Sequence, residues 1–598
     1  MSAEPTALSP AGGLMDGLNA TLNGTEAAAA SSPGALGFFQ DLGFMMLELK
    51  LLAGVLGIIY LGAHASLRRP PSAAPAKPRK DGQRDEDEDE ERFSQGLEPT
   101  DAIMFPLLAA VVLVGLYYLI QWIKDMSTLN KILRWYMSTM SIASLLTLYA
   151  HGLELATSLV FPRFWRSRDG ALRMADQRAR TVATCDDVGN AVAEPSPRAS
   201  PFPGPLAVLA CSDRATRAAW ELRGLLHRHW VIKFYMHGVG EEKARIKFAH
   251  MMALLLALAT ALVYFSTTSP LLSNMLGYGM CYGSFLLLSP TDFLTSSLVL
   301  VGLFFYDIVM VFYTPYMITV ATKLDVPIKL TFESAARKSM LGLGDIVIPG
   351  MVIAWALRLD LWIHYLRKVK YESTDLKIME RDAASGEVMT RNETKHKEVK
   401  ARYVNVKGKW GEEIWTRGAF FLSRPQQLPV DLAAASFRKT YFTAAMGGYV
   451  LGMLCTLAML LIFKQGQPAL LYLVPGVLGS LTVTALVRGE MKDVWAYTED
   501  GSLDTMDVVV DLDGNGKAVK ALGKLENGVV DMTKEKKVEG KQDSEKTSGK
   551  TKDGGSDKTL PQDGKEVKKD VKKDAKGSKN HRVFLLSLEA PLDDEVDE

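Results

Sequence analysis

Cysteine is scarce in this chain. There are four in 598 residues, and none forms a Cys-x-x-Cys pair. Cys281 and Cys455 lie in apolar runs, Cys185 and Cys211 in a polar loop. This excludes a disulfide-stapled scaffold and argues against a cysteine zinc site. Excess positive charge is missing too: 69 Lys and Arg against 68 Asp and Glu leave a net charge of +1. A dedicated nucleic-acid binder is therefore not expected. No His-Glu-x-x-His occurs and no Gly-x-Ser-x-Gly lies in an apolar run, which speaks against zinc and serine intramembrane proteases. His64, His151 and His250 form no helical pair and read as packed or interfacial residues.

Long apolar runs are abundant. Charged residues make up 23% and hydrophobic ones 48%, near soluble averages, but they alternate in blocks. A spanning helix needs roughly 20 mostly apolar residues. Nine stretches qualify: Leu42–Ser66, Ala102–Ile123, Ile132–Phe161, Ala249–Ser266, Leu271–Ser289, Phe293–Tyr313, Ser339–Leu357, Thr440–Phe463 and Pro468–Val487. Glu48 and Lys50 interrupt the first, and the fifth is rich in glycine and serine. The expected molecule is an all-α polytopic membrane protein with nine transmembrane helices and disordered loops and tail.

Lys and Arg placement sets the expected orientation. Residues 1–41 contain neither, Arg68 and Arg69 follow the first span, and loops 163–248 and 358–439 are strongly basic. The amino terminus is expected in the lumen and the carboxyl terminus in the cytosol. Asn19 and Asn23 sit in glycosylation sequons of the lumenal segment, whereas Asn392 would be cytosolic and unmodified. Lys323, Lys329, Arg337 and Lys338 strain the rule, since 314–338 then falls on the lumenal side. No basic stretch precedes the first span, so it reads as a retained anchor. The organisation expected is a lumenal segment 1–41, a core 42–490 with cytosolic loops 67–101, 163–248 and 358–439, and a mostly disordered cytosolic tail 491–598. Asp511, Asp513, Asn515 and Gly516 imitate half a calcium loop, but Leu522 stands where its bidentate Glu belongs. A turn between short strands is the expected reading.

An ionisable group at mid-bilayer costs about 2.5–3.5 kcal/mol or more and signals function by default. Asp307 lies in Leu303-Phe304-Phe305-Tyr306-Asp307-Ile308-Val309 and Asp345 in Leu341-Gly342-Leu343-Gly344-Asp345-Ile346-Val347. Counted from Pro315 and Lys338 at about 1.5 Å per residue, both sit roughly 10–12 Å from one membrane face. Two carboxyls in one dry site do not both ionise easily, so the pair holds one proton and titrates as a unit. The ionised Asp deprotonates a water and the protonated one donates to a scissile carbonyl; this needs no metal or other cofactor. Two other readings stay open on depth and adjacency: unrelated buried aspartates, and a proton relay in a transporter or channel. Gly342 and Gly344 would let another backbone approach Asp345, and Pro468 would open a helix or leave carbonyls free near a cavity.

In these segments the sequence resembles the signal peptide peptidases, the intramembrane aspartyl proteases related to presenilin. The resemblance rests on Tyr306-Asp307, Gly342-Leu343-Gly344-Asp345 and Pro468-Ala469-Leu470, in order and in the sixth, seventh and ninth expected spans. Met340–Gly350 and Ala321–Asp325 look like the signal peptide peptidase version. It implies a presenilin-like fold, with Asp307 and Asp345 as the catalytic pair. Tyr306, Gly342, Leu343, Gly344, Pro468, Ala469 and Leu470 would support the site or hold an unwound substrate. It further implies residence in the endoplasmic reticulum and type II membrane segments, such as residual signal peptides, as substrates. Other implied partners are the lipid bilayer and a homo-oligomer or quality-control proteins, with no nucleic acid. The sixth span leaves through Tyr313-Thr314-Pro315-Tyr316, a departure from the family pattern that bears on substrate preference.

Overall fold

The computed structural model describes residues 35–75, 95–531 with short internal breaks (the longest 382–387 and 418–429), and 584–589. Asn19, Asn23, the acidic run 85–91 and the tail 532–580 lie outside the described residues. Long helices fall at every expected apolar stretch: α1 Ala35–Ala65, α2 Pro99–Trp122, α3 Met126–Val160, α4 Phe248–Thr267, α5 Pro270–Leu287, α6 Phe293–Ile308, α7 Gly344–Leu366, α8 Thr440–Phe463 and α9 Leu470–Arg488. Among the described residues seven helices are long and apolar enough to cross a membrane; α3 and α5 are not among them. Serines, threonines and His151 dilute α3 even between its charges Arg134 and Glu154, while α5 has 18 residues and contains glycines, serine and Asn274.

The bundle is built around α7. From Ile346 to Leu357 this helix is apolar all round, and it is buried along nearly its whole length, as expected of a helix enclosed by others. It packs against α1, α5, α8 and α9. By contrast α2 is exposed on most of its apolar surface, the condition of a lipid-facing helix. Helices α8 and α9 approach so closely that a Cβ on Gly448 would collide with the Gly476 carbonyl, and one on Gly452 would lie 2.8 Å from the Tyr472 carbonyl oxygen. Small residues four apart allow such contact between membrane helices.

Two expectations are corrected. The seventh helix does not run Ser339–Leu357. Residues Lys338–Gly342 form a strand antiparallel to Lys329–Glu333, with Leu341 opposite Leu330 and Gly342 opposite Lys329. The helix begins only at Gly344 and continues to Leu366, past the charges Arg358 and Asp360. Counting Asp345 into the membrane from Lys338 at a helical rise therefore does not apply, because those residues are a hairpin arm.

The fold is also mostly helical rather than all-α, and its loops are not wholly without structure. A four-stranded sheet lies within 164–197. His229–Met236 pairs with Gly240–Lys247 and, on its other edge, with Phe584–Glu589 from the tail. Lys370–Arg381 and Val388–Val399 form a hairpin that closes into a barrel with Val508–Leu512, Ala518–Glu526 and Val529–Asp531. Apolar and β-branched residues interleaved with charges, as in Trp230-Val231-Ile232-Lys233-Phe234, suit a half-buried sheet. Of the stretch resembling a calcium loop, Asp511 lies in strand Val508–Leu512, which pairs antiparallel with Ala518–Glu526, while Asp513, Asn515 and Gly516 lie outside the described residues.

Candidate active site

Three chain segments converge. The first is the end of α6. Asp292 opens that helix, its Oδ1 accepting the Thr295 N–H at 2.7 Å. Asp307 is its penultimate residue and is 3% exposed. Immediately after, Val309–Tyr313 widens into a π turn before Thr314 and Pro315 end the run. Single π turns inside helices often lie at functional sites. Tyr306 is half-buried against the central core.

The second segment is the hairpin and the start of α7. Asp345 is the second residue of that helix and is half-buried. Leu343 is the N-cap; its N–H donates to the Ile328 carbonyl at 3.1 Å, and its side chain turns into the core beside Gly277. Gly342 and Gly344 are exposed and neither needs a positive φ. What they provide is space. A Cβ on Gly342 would lie 3.4 Å from the Asp345 Oδ2, and one on Gly344 would meet nothing within 4 Å. The free face beside Asp345 is thus lined by backbone.

The third segment is the start of α9. Pro468 is buried, Ala469 is the N-cap and Leu470 is the first helical residue. The first N–H groups of a helix have no partner within it. The Leu470 N–H is one of these, and it donates to Asp307 Oδ2 at 3.1 Å. The positive end of the α9 dipole thereby faces the Asp307 carboxyl. Helix α6, which carries Asp307, touches both α7 and α9. The Asp345 carboxyl has no ion pair and no hydrogen-bond donor among the described residues.

Sequence reasoning missed a second polar cluster, at the other end of α7. Arg358 Nε donates to Glu499 Oε1 at 2.7 Å, Nη2 to Ser289 Oγ at 2.7 Å and Nη1 to Ser66 Oγ at 2.8 Å. Arg68 also pairs with Glu499, and Tyr497 donates its hydroxyl to it at 2.8 Å. Burial alone would push the Glu499 carboxyl up, but Arg358 and Arg68, with Ser289, overcome it and hold it at about 2. Asp360 accepts the Tyr441 and Phe442 N–H groups at 3.1 and 2.9 Å, capping α8 from a neighbouring helix. The signal was present in the sequence: apolar residues resume at Leu359 and Leu361–Ile363, so the charges interrupt a buried helix rather than end it. Lys329, which strained the orientation argument, is engaged locally; its Nζ donates to the Ala321 and Leu324 carbonyls at the end of helix Tyr316–Lys323.

Residues 88–501 match the family model described as signal peptide peptidase. A probable intramembrane protease of Saccharomyces cerevisiae is 26% identical over 74% of this chain and 66% of its own length. One of Schizosaccharomyces pombe is 31% identical over 42% of this chain and 66% of its own length. Human signal peptide peptidase is 28% identical over 42% of this chain and 51% of its own length. The chain thus spans less than two thirds of each of these relatives. No transporter is among these similarities, and the proton-relay reading is left without support.

Proposed function

This chain belongs to the signal peptide peptidase family, and from that premise we propose that it is an intramembrane aspartic endopeptidase whose acid pair is Asp307 and Asp345. The observation that carries this is the meeting of three segments. Asp307 takes the unpartnered N–H of Leu470, while Asp345 opens the adjoining helix with its carboxyl uncommitted. One carboxylate removes a proton from water, and the water oxygen bonds to the scissile carbonyl carbon. The other, protonated carboxyl donates to the carbonyl oxygen. Collapse of the tetrahedral intermediate breaks the C–N bond, and the proton taken from water leaves on the amine.

Before cleavage a helical substrate must give up its internal hydrogen bonds, and its backbone then needs new partners. The Lys338–Gly342 strand, paired on one side with Lys329–Glu333, runs directly into Asp345 and suits an added substrate strand. Gly342 and Gly344 leave room for that backbone. Leu343 anchors the turn in the core, and Tyr306 flanks Asp307. Pro468, Ala469 and Leu470 hold the start of α9 against the acid pair.

The proposed substrates are type II membrane segments such as residual signal peptides. The proposed setting is the endoplasmic reticulum membrane, with α3 and α5 also crossing to make nine spans. The amino terminus is lumenal with Asn19 or Asn23 glycosylated, and the carboxyl terminus cytosolic. The deciding experiment is cleavage of a type II signal-peptide reporter by the purified protein, with and without an aspartyl-protease transition-state inhibitor. Inhibitor-sensitive cleavage is expected, and its absence overturns the reading.

A further inference from the structure

Pro349 lies inside α7, four residues after Asp345. In an α-helix the carbonyl of one residue accepts the N–H of the fourth residue on, and proline has no N–H. Its ring also crowds that same carbonyl. The Asp345 carbonyl is therefore deprived of its regular helical donor by the sequence itself. A buried carbonyl without a donor is destabilising, so a partner is needed.

The partner comes from α8. The Tyr449 hydroxyl donates to the Asp345 carbonyl oxygen at 3.3 Å. The Tyr449 side chain is fully buried, so its ring has little freedom to swing away. Its helix is held on two sides. Asp360 fixes the first turn through the Tyr441 and Phe442 N–H groups. Gly448 and Gly452, flanking Tyr449 in sequence, press α8 onto α9, the helix whose first N–H binds Asp307. One rigid helix pair thus reaches both aspartates, one through Tyr449 and the other through Leu470.

We propose that Tyr449 is a positioning residue for Asp345. It holds the Asp345 peptide through the carbonyl that Pro349 leaves free, and so sets where the carboxyl stands relative to Asp307. Its hydroxyl acts through the Asp345 peptide and not on the reacting atoms. The inference rests on the acid-pair reading above.

The test is a double-mutant cycle on the purified full chain: wild type, Tyr449→Phe, Pro349→Ala and the double variant. Phe keeps the ring and removes only the donor. Pro349→Ala restores an N–H that the Asp345 carbonyl can use. With Pro349 present, Tyr449→Phe should lower kcat by about tenfold or more, as small misplacements of reacting groups do. KM should stay within about twofold, since substrate contacts are untouched. In the Pro349→Ala background, the same change should cost less than about threefold, because the carbonyl has another donor. Equal losses in both backgrounds, or no loss in either, overturn the proposal.

The same cycle read as thermal midpoints does not depend on catalysis. Tyr449→Phe should lower the midpoint when Pro349 is present and leave it nearly unchanged in the Pro349→Ala background. Additive shifts overturn the hydrogen-bond assignment. Asp307→Asn, run in parallel, separates the two ideas. If it cleaves as well as wild type, the protease mechanism falls while the thermal cycle still decides the role of Tyr449.

Discussion

The two ends of α7 handle buried charge in opposite ways. At the carboxyl end Arg358 commits all three guanidinium nitrogens, to Glu499, Ser289 and Ser66, and both oxygens of Asp360 accept N–H groups of α8. At the amino end Asp345 has no donor on its carboxyl among the described residues, and Asp307 beside it has one amide. A charge removed from water is tolerated when it is paired and fully hydrogen-bonded. An ionisable group kept in the membrane without such partners is held for chemistry. One helix therefore carries a fully satisfied charge cluster at one end and, at the other, the carboxyl for which a reactive role is proposed, separated by Pro349 and a stretch of apolar core.

The strongest way to break this comparison is to neutralise each end. Asp307→Asn or Asp345→Asn should lower reporter cleavage by at least about a hundredfold, the scale of general acid–base catalysis. Thermal stability should change little, because the Asp345 carboxyl has no partner to lose among the described residues and in Asp307→Asn the amide oxygen can still accept the Leu470 N–H. Turnover close to wild type in either purified variant sinks the reactive end.

At the other end the effect should be on folding. Arg358→Met leaves Glu499 buried without its main cation, and such breakage costs about 3–5 kcal/mol. Little folded protein should elute in detergent. Changing Glu499→Leu in the same chain should recover much of the loss, since an apolar pair needs no compensation. A single variant as stable as wild type, scored by thermal midpoint, removes the contrast.

The start of α9 gives a smaller effect. Pro468→Leu extends the helix backward and engages the Leu470 N–H that now donates to Asp307, and Leu470→Arg places a cation against the carboxyls. Both proteins should insert, yet lose cleavage and inhibitor labelling by about tenfold or more. A Pro468→Leu variant that cleaves normally shows that this segment does not shape the site.

The pH dependence of stability sharpens the comparison further. The Glu499 carboxyl is held at about 2 against an ordinary 4.5. A carboxyl lowered on folding stabilises the fold in full above its unfolded value and loses that contribution as pH falls toward its folded value. The advantage of wild type over Glu499→Gln in thermal midpoint should thus be complete above pH about 4.5 and vanish toward pH about 2. An advantage that persists unchanged at pH 2 contradicts the ion-pair account. The smallest change expected is one of gel mobility. Asn19→Gln or Asn23→Gln should abolish an endoglycosidase-sensitive shift that Asn392→Gln leaves intact. A shift that depends on Asn392 reverses the side of the membrane that each end of α7 faces.

Much of the architecture is legible in advance because it is local. The apolar run Thr440–Phe463 coincides with α8. The sixth run coincides with α6 together with its π turn, and the ninth lies within two residues of α9, with Pro315 and Pro468 marking the ends. The first and third helices begin several residues before their apolar runs, and the seventh departs at both ends. Its amino-terminal arm is held by cross-strand pairing with Lys329–Glu333, which apolar composition does not reveal. Its carboxyl end extends beyond Leu357 because Arg358 and Asp360, which read as interfacial charges, are buried. Their burial depends on Glu499, 141 residues after Arg358, and on the start of α8, 81 residues after Asp360. Likewise the interleaved charges of loop 358–439 give no sign that its hairpin closes a barrel with strands beyond residue 507.

By itself the sequence determined which residues stand out as carriers of chemistry. Asp307, Asp345 and the Pro468-Ala469-Leu470 stretch are conspicuous because a charge or a helix breaker in an apolar run conflicts with its immediate neighbours, and that conflict can be read locally. Only the tertiary structure decided how each conflict is resolved. Leu470 meets Asp307 across 163 residues, Tyr449 meets Asp345 across 104, and Arg358 meets Glu499 across 141. The physical reason is that membrane burial fixes how much polar satisfaction a group requires, whereas the packing of distant helices fixes which donor or cation supplies it. Helical periodicity carries the first kind of information and none of the second.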